Sequence, residues 1–234
     1  MYSSYSLDRL VSHGVDEETQ SLNNLQITLF NGHFKCILDN GDTTLAEKGK
    51  LLALRIMKGD QTIFNDDSLF DHKWKEYKYQ VVVTPLVETV TNASDFGNDE
   101  TDGASDSIKM HLKLTLLHII VLSRDRNILQ NFIDKFKDGD CKSPDFWMDE
   151  PVHLENKRTF DNHNGITIKI AEEEVWIDGA NCYHLTAKFN PRALFILLNL
   201  LGKDSKSAMK EIFMADTPSP LHVAAFNSDS ISTW

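Results

Sequence analysis

The sequence has 234 residues, of which 41% are apolar and 25% charged, values that are ordinary for a folded globular protein and exclude general disorder. Its formal net charge of -11 argues against binding to the phosphate backbone of a nucleic acid, because that negatively charged backbone is bound by basic patches. The longest apolar stretches, residues 114–122 and 193–201, are too short for direct membrane insertion, since a spanning helix needs about 20 apolar residues.

The first half of the chain contains two weak helix-start signals and an acidic segment. Residues 40–45 read Asn-Gly-Asp-Thr-Thr-Leu, and residues 84–87 read Thr-Pro-Leu-Val. After the second of these signals, residues 91–107 carry five acidic and no basic side chains. This composition is too poor in apolar residues to fold, so it predicts a flexible, solvated acidic loop that could contact a basic partner.

Three later windows, residues 115–121, 181–187 and 219–225, share one outline. Each places Thr115, Asn181 or Ser219 three positions before a histidine, where its side chain can cap a helix. Pro220 suits the first helical position, since its missing N–H would be unpaired there. Apolar residues at helical spacing follow the first two windows, at 128–133 and 194–198. These windows predict pairs of short antiparallel helices, and residues 150–154 form a weaker copy.

These windows resemble the ankyrin repeat. The residues that carry the resemblance are Thr115, His118, His153, His184, Pro220, Leu221, His222, Ala224 and Ala225. The histidine-equivalent positions from Ala46 to His222 recur every 31 to 41 residues, with a mean of about 35 against the family's 33. The resemblance implies an all-α solenoid of stacked antiparallel helix pairs over residues 40–234, with residues 1–39 as a cap or a degenerate repeat. The number of repeats stays open between three and six.

Departures from the repeat pattern predict irregular stacking. Ile120 and Val121 stand where the family has small alanines, so those helices pack less closely. Residues 164–170 and 175–179 alternate like two strands and end in a turn, which predicts an inserted hairpin or, alternatively, a distorted second helix. The last window is followed by too few residues for a full second helix, so the chain is either naturally truncated or a fragment.

No motif points to catalysis, a metal or a cofactor. The spacing of His118, His153, His184 and His222 indicates structural roles, in which each ring binds groups of a neighbouring unit. No paired histidine or cysteine spacing typical of zinc occurs, and neither does a Walker loop or a dinucleotide fingerprint. The three cysteines stand alone, which favours a reducing compartment and a cytoplasmic or nuclear location.

The resemblance implies a non-catalytic protein-interaction module or scaffold. One alternative is an inhibitor of Rel-type transcription factors, because residues 40–45 and the acidic balance resemble the ankyrin domains of the IκB-like proteins, which face a basic segment of their partner. An enzyme with a loop-built active site is the other alternative. We expect the partner to be another protein with a basic surface, met by projecting polar residues, namely Lys113, Asp178, Asn181 and Asp216. The leucines expected in the core are Leu116, Leu117, Leu185, Leu197, Leu198 and Leu221.

Overall fold

The computed structural model describes residues 20–70, 73–84, 87–92, 109–136, 141, 143–155, 166–170, 177–200 and 219–225. The helices in these residues are α1 (Gln20–Phe30), α2 (Thr43–Met57), α3 (Leu116–Leu122), α4 (Arg126–Lys135), α5 (Pro144–Met148), α6 (Cys182–Phe189), α7 (Pro191–Leu200) and α8 (Pro220–Ala225). The strands are β1 (Phe34–Ile37), β2 (Lys78–Val83), β3 (Val87–Asn92), β4 (Met110–Thr115), β5 (His153–Leu154) and β6 (Ile166–Ile170). Two 3-10 turns, Gln61–Asn65 and Trp74–Glu76, lie between α2 and β2.

Four strands form one antiparallel sheet in the order β1-β2-β4-β5, and β3 pairs with β6 in a second antiparallel sheet. The predicted all-α ankyrin solenoid is therefore wrong, and the fold is mixed α/β. The helix-start windows are local signals, whereas the sheet joins segments that are far apart in the sequence. Strand β1, for example, pairs with a strand that begins only at Lys78.

Buried and exposed side chains alternate along the strands, a pattern that the ankyrin interpretation did not take into account. In β2 and β4, every second side chain is apolar and buried: Tyr79, Val81 and Val83 in one strand, and Met110, Leu112 and Leu114 in the other. The residues between them are polar or exposed. This pattern is typical of a sheet with one face in the core and one face in water.

The helices cover the buried side of the sheet and pack on one another. α1 lies against β2, and α2 lies against β1 and against α3. α3 packs on α6, and α6 contacts α7 and α8. Paired helices thus exist locally, but they share one hydrophobic core with the sheet, since that core joins Leu25 of α1, Leu112 of β4 and Leu185 of α6.

The three strong windows do begin helices, and their capping residues are confirmed. The Thr115 N–H donates to Nδ1 of His118 over 3.0 Å, and the His118 N–H donates to Oγ1 of Thr115 over 3.4 Å. The same reciprocal contacts recur at the starts of α6 and α8, through His184 and His222. The sequence predicts that these histidine rings bind groups of a neighbouring unit, but the Nδ1 atom of each ring binds the cap of its own helix.

The weaker windows have mixed outcomes. Asp42 caps α2 by accepting the N–H of Leu45 over 3.0 Å, so residues 40–45 do begin a helix. His153 is instead an exposed residue of β5. Val87 begins a strand rich in β-branched residues, which favour sheets over helices.

The strand predicted within residues 164–170 is present as β6, but its partner in the described part of the chain is β3. Residues 177–179, predicted as the second strand of a hairpin, form a turn. The alternative, a distorted second helix, is wrong for β6. Residues 171–176 lie outside the described residues.

The predicted core is largely confirmed. Leu116, Leu185 and Leu197 are buried, and Leu117 and Leu198 are partly buried against the same cluster. Leu221 is 61% exposed, so its predicted burial is wrong. In the short helix α8 it is Val223, two residues further on, that reaches the core.

Several predictions fall outside the described residues. They concern residues 1–19, the acidic segment beyond Asn92, Asp216 and the side chains of Ala224 and Ala225. The division at residue 40 stays a prediction, although α1 and β1, which precede it, supply buried residues to the common core.

Gly49 lets α2 approach the sheet closely. A Cβ atom added there would lie 2.7 Å from Sγ of Cys36 and 3.0 Å from the ring of Tyr77. We expect Gly49→Ala to destabilise the fold by about 1 to 3 kcal/mol, the usual cost of overpacking, although alanine favours a helix. Chemical denaturation measures this change. An alanine variant at least as stable as the wild type would contradict the close packing.

Candidate protein-interaction surface

The exposed face of the four-stranded sheet carries a row of polar and cationic side chains. Alternation along the strands turns Lys35, Gln80 and Lys113 away from the core. The register aligns Lys35 with Gln80, Gln80 with Lys113 and Lys113 with His153 across all four strands. Because neighbouring strands lie about 4.8 Å apart, Lys35 and Lys113 are about 10 Å apart at the backbone. We call this surface the basic face.

A groove of about 420 Å³ runs along one side of the basic face. Its lining combines cationic, titratable and apolar side chains with one acidic side chain, among them His33, Lys35, Lys50, Gln80, Val82, His111 and Glu155. Lys50 comes from α2, so the groove lies where that helix meets the sheet. The groove is concave and faces solvent, as a site for a side chain or a short segment of a partner must be.

The positive charge of this surface is only partly neutralised. Within the described residues, Lys35, Lys50 and Lys113 take part in no ion pair. Three acidic side chains lie nearby. Glu150 is paired with Lys78, Asp178 lies beside β5, and Glu155 accepts hydrogen bonds from Nε2 of Gln80 at 3.1 and 3.2 Å, a neutral donor that leaves its negative charge in place. An anion placed against the lysines would therefore meet cations that form no ion pair in the described structure, with Glu155 as the one anion in the lining of the groove.

The residues predicted to face a partner have different surroundings. Lys113 lies half-buried on the basic face. Oδ1 of Asp178 accepts the backbone N–H of Leu154 over 3.1 Å, which places Asp178 beside β5 and the edge of that face. Asn181 caps α6 through the N–H groups of Tyr183 and His184. The structure thus brings Lys113, His153 and Asp178 to one sheet edge, while Asn181 stabilises a helix start.

The sequence interpretation missed Lys35, Lys50, Gln80 and His111 as members of one surface. The alternation in residues 78–83 and 110–115 could have revealed the outward positions. The cross-strand register that joins them depends on long-range pairing, which periodicity does not give.

A second concave surface lies beside α1. Ile27 and Phe30, one turn apart on that helix, are 49% and 52% exposed. They line a cleft of about 360 Å³ together with Met57, Lys58 and Arg124. Within the described residues neither cation is ion-paired, so the cleft combines an apolar wall with a basic rim. We call it the α1 cleft.

The cysteine thiols are buried, and none of them forms a disulfide in the described structure. Burial, with a smaller contribution from Glu47, raises the pKa of Cys36 to about 12, and burial also raises the pKa of Cys182. Both thiols therefore stay protonated at neutral pH and are poor nucleophiles. In the described part of the chain, no group of three or more histidine, cysteine or acidic side chains is arranged to hold a metal ion. No described helix has the length and apolarity that crossing a bilayer requires.

Comparison with known proteins gives no family for this chain. No protein-family model matches the sequence, no curated protein matches it, and no solved structure matches its fold. The ankyrin assignment thus lacks support from these comparisons as well as from the four-stranded sheet.

Proposed function

We propose that the protein is a non-catalytic binding module that recognises an acidic segment of another protein through the basic face. One observation carries this proposal. In a chain with a net charge of -11, the exposed side of the sheet presents Lys35 and Lys113, with Lys50 of α2 in the adjoining groove, and none of the three has an ion-pair partner in the described residues.

Electrostatics explains how such a surface would select its partner. The net negative charge repels acidic proteins in general, whereas the basic face attracts them locally. A carboxylate-rich segment would therefore bind in one place and one orientation. Complementary charges of this kind act mainly on specificity and on the rate of association, and salt weakens both.

The proposal replaces the basic partner expected from the sequence with an acidic one. It keeps the expected class of function, a protein-interaction module. The expectation of a basic partner rests on the acidic residues 91–107, of which residues 93–107 lie outside the described residues, and it stays a prediction. A cytoplasmic or nuclear location belongs to the present proposal. The three buried cysteines, which form no disulfide in the described structure, support it because disulfides are rare in reducing compartments.

Binding of a labelled glutamate-rich peptide to the full chain, followed by fluorescence anisotropy, tests the proposal. We expect binding that weakens as salt rises from about 50 to 500 mM, because the dissolved ions screen the attraction between the lysines and the glutamates. Lys35→Glu with Lys113→Glu should weaken binding by about tenfold or more, the effect of losing 1.4 kcal/mol.

The matched control is Arg192→Glu, since Arg192 is an exposed cation of α7, outside the basic face. It changes the net charge by as much as Lys35→Glu or Lys113→Glu alone, with which it is compared, and should alter the affinity by no more than about twofold. Binding of a lysine-rich peptide but not of the glutamate-rich one, or equal weakening by the control, would contradict the proposal.

A further inference from the structure

One face of α2 connects the α1 cleft with the groove of the basic face. Lys50, Leu54 and Lys58 follow one another at intervals of four residues, so they lie along the same side of the helix. Lys50 lines the groove and Lys58 lines the α1 cleft. At 1.5 Å per residue, the two lysines are about 12 Å apart along the helix axis.

The surface between the two concavities is apolar. Leu51 is 52% exposed, although it lies in the middle of α2. Leu54 is half-buried and packs beside Gly32, in the turn that joins α1 to β1. That same turn separates Phe30, in the cleft, from His33, in the groove. The cleft, the leucines and the groove therefore form one continuous strip with an apolar end and a basic end.

Among the charged residues that line the two concavities, cations outnumber anions: Lys35, Lys50, Lys58 and Arg124 against Asp125 and Glu155. In the α1 cleft, Asp125 keeps its negative charge, because both donors to its carboxylate are neutral: the N–H of Asn127 at 2.8 Å and Nε2 of Gln61 at 3.2 Å. Lys58 and Arg124 are exposed and have no ion-pair partner in the described residues. A ligand that is apolar along one line and anionic beside it therefore complements the apolar residues and the surplus of cations in the strip.

We infer that the strip binds an amphipathic acidic helix of a partner protein. A large apolar side chain of that helix fills the α1 cleft beside Phe30, a second apolar residue covers Leu51, and carboxylates lie against the lysines. A spacing of about 12 Å corresponds to about two turns, or eight residues, of the bound helix. This inference rests on the proposed function, and it adds the secondary structure of the partner segment and its apolar anchor.

Three peptides of about 14 residues, a length of four helical turns, separate the contributions. The first carries leucines on one helical face and glutamates beside them. The second replaces the leucines with serine and keeps the glutamates, while the third keeps the leucines and replaces the glutamates with glutamine. We expect the full chain to bind the first peptide about tenfold or more tightly than either of the others, measured by fluorescence anisotropy.

Phe30→Ala should weaken binding of the first peptide by about tenfold and leave binding of the second unchanged, since only the first has an apolar anchor. The matched control is Phe195→Ala, because Phe195 is 59% exposed on α7, outside the strip. It should leave both affinities unchanged. Circular dichroism checks that each variant is folded, and Ile27→Ala provides a second, independent change in the cleft.

The outcomes distinguish the two proposals. Equal binding of the first and second peptides, with no effect of Phe30→Ala or Ile27→Ala, overturns the helix inference and leaves the proposed function standing. Equal binding of the first and third peptides, with no effect of Lys35→Glu, overturns the proposed function itself. Self-association that Phe30→Ala abolishes, with no peptide binding, would assign the strip to a second copy of the chain and overturn both.

Discussion

Replacing Phe132 with alanine should lower the free energy of unfolding by about 3 to 5 kcal/mol. Phe132 is fully buried in α4 and lies at the centre of an aromatic cluster. Its ring centroid is 4.8 Å from that of Phe136, 5.4 Å from that of Trp74 and 6.1 Å from that of Trp147. The alanine variant leaves a cavity and removes the edge-to-face contacts with both tryptophans, so its cost combines burial and packing.

Urea denaturation measures this effect, and Phe195→Ala is the matched control. Phe195 is an exposed phenylalanine of α7, so its removal should cost less than about 1 kcal/mol. The cluster joins α4 to the second 3-10 turn and to α5. Equal stabilities of the two variants would show that these elements do not meet at Phe132.

Acidification should destabilise the protein through His118. Its ring is completely buried, and Nδ1 accepts the N–H of Thr115, so Nε2 carries the proton and has no hydrogen-bond partner in the described residues. Burial, followed by the nearby charges of Lys78 and His153, lowers the pKa of His118 from 6.5 to about 3. Since the unfolded chain binds this proton more tightly, the stabilisation is complete above the unfolded value of 6.5 and is lost as the pH falls toward 3.

The expected loss of stability follows from the shifted pKa of His118. Each pH unit below the unfolded pKa lowers the free energy of unfolding by about 1.4 kcal/mol. Between about pH 7 and pH 4, His118 should account for about 2 to 4 kcal/mol of the lost stability. His118→Gln removes the titration while keeping an acceptor that can cap Thr115, as glutamine does at this position of a capping box. Denaturation at several pH values should show a shallower pH slope for this variant. The same slope in both proteins would contradict a neutral, buried His118.

The helix starts could be predicted because their determinants are local. Thr115, Asn181 and Ser219 each cap a helix through a contact with the residue three positions later, so a short window of sequence contains the whole interaction. Reliance on short windows also gave a wrong prediction at residues 110–115. The window that starts at Thr115 predicts a repeat unit. The alternation of Met110, Leu112 and Leu114 directly before it indicates a strand.

The basic face could not be predicted from local sequence. Lys35 and Lys113 meet only because β1 and β4 both pair with β2, and a shift of one residue in either register would turn a lysine into the core. The net charge of -11 also pointed to a basic partner, because a total over the whole chain does not show where the cations cluster. Of the residues predicted to face a partner, Lys113 lies on this face.

Zero-length cross-linking of a glutamate-rich peptide to the full chain tests the central claim most directly. A water-soluble carbodiimide joins a carboxylate to an amine only when the two are in contact, and mass spectrometry then identifies the modified lysines. We predict that the peptide is joined to Lys35, Lys50 and Lys113, and that high salt abolishes these products because it screens exposed charges. Cross-links confined to lysines outside the basic face and its groove, with these three unmodified, would contradict the assignment of this surface as the one that binds an acidic partner.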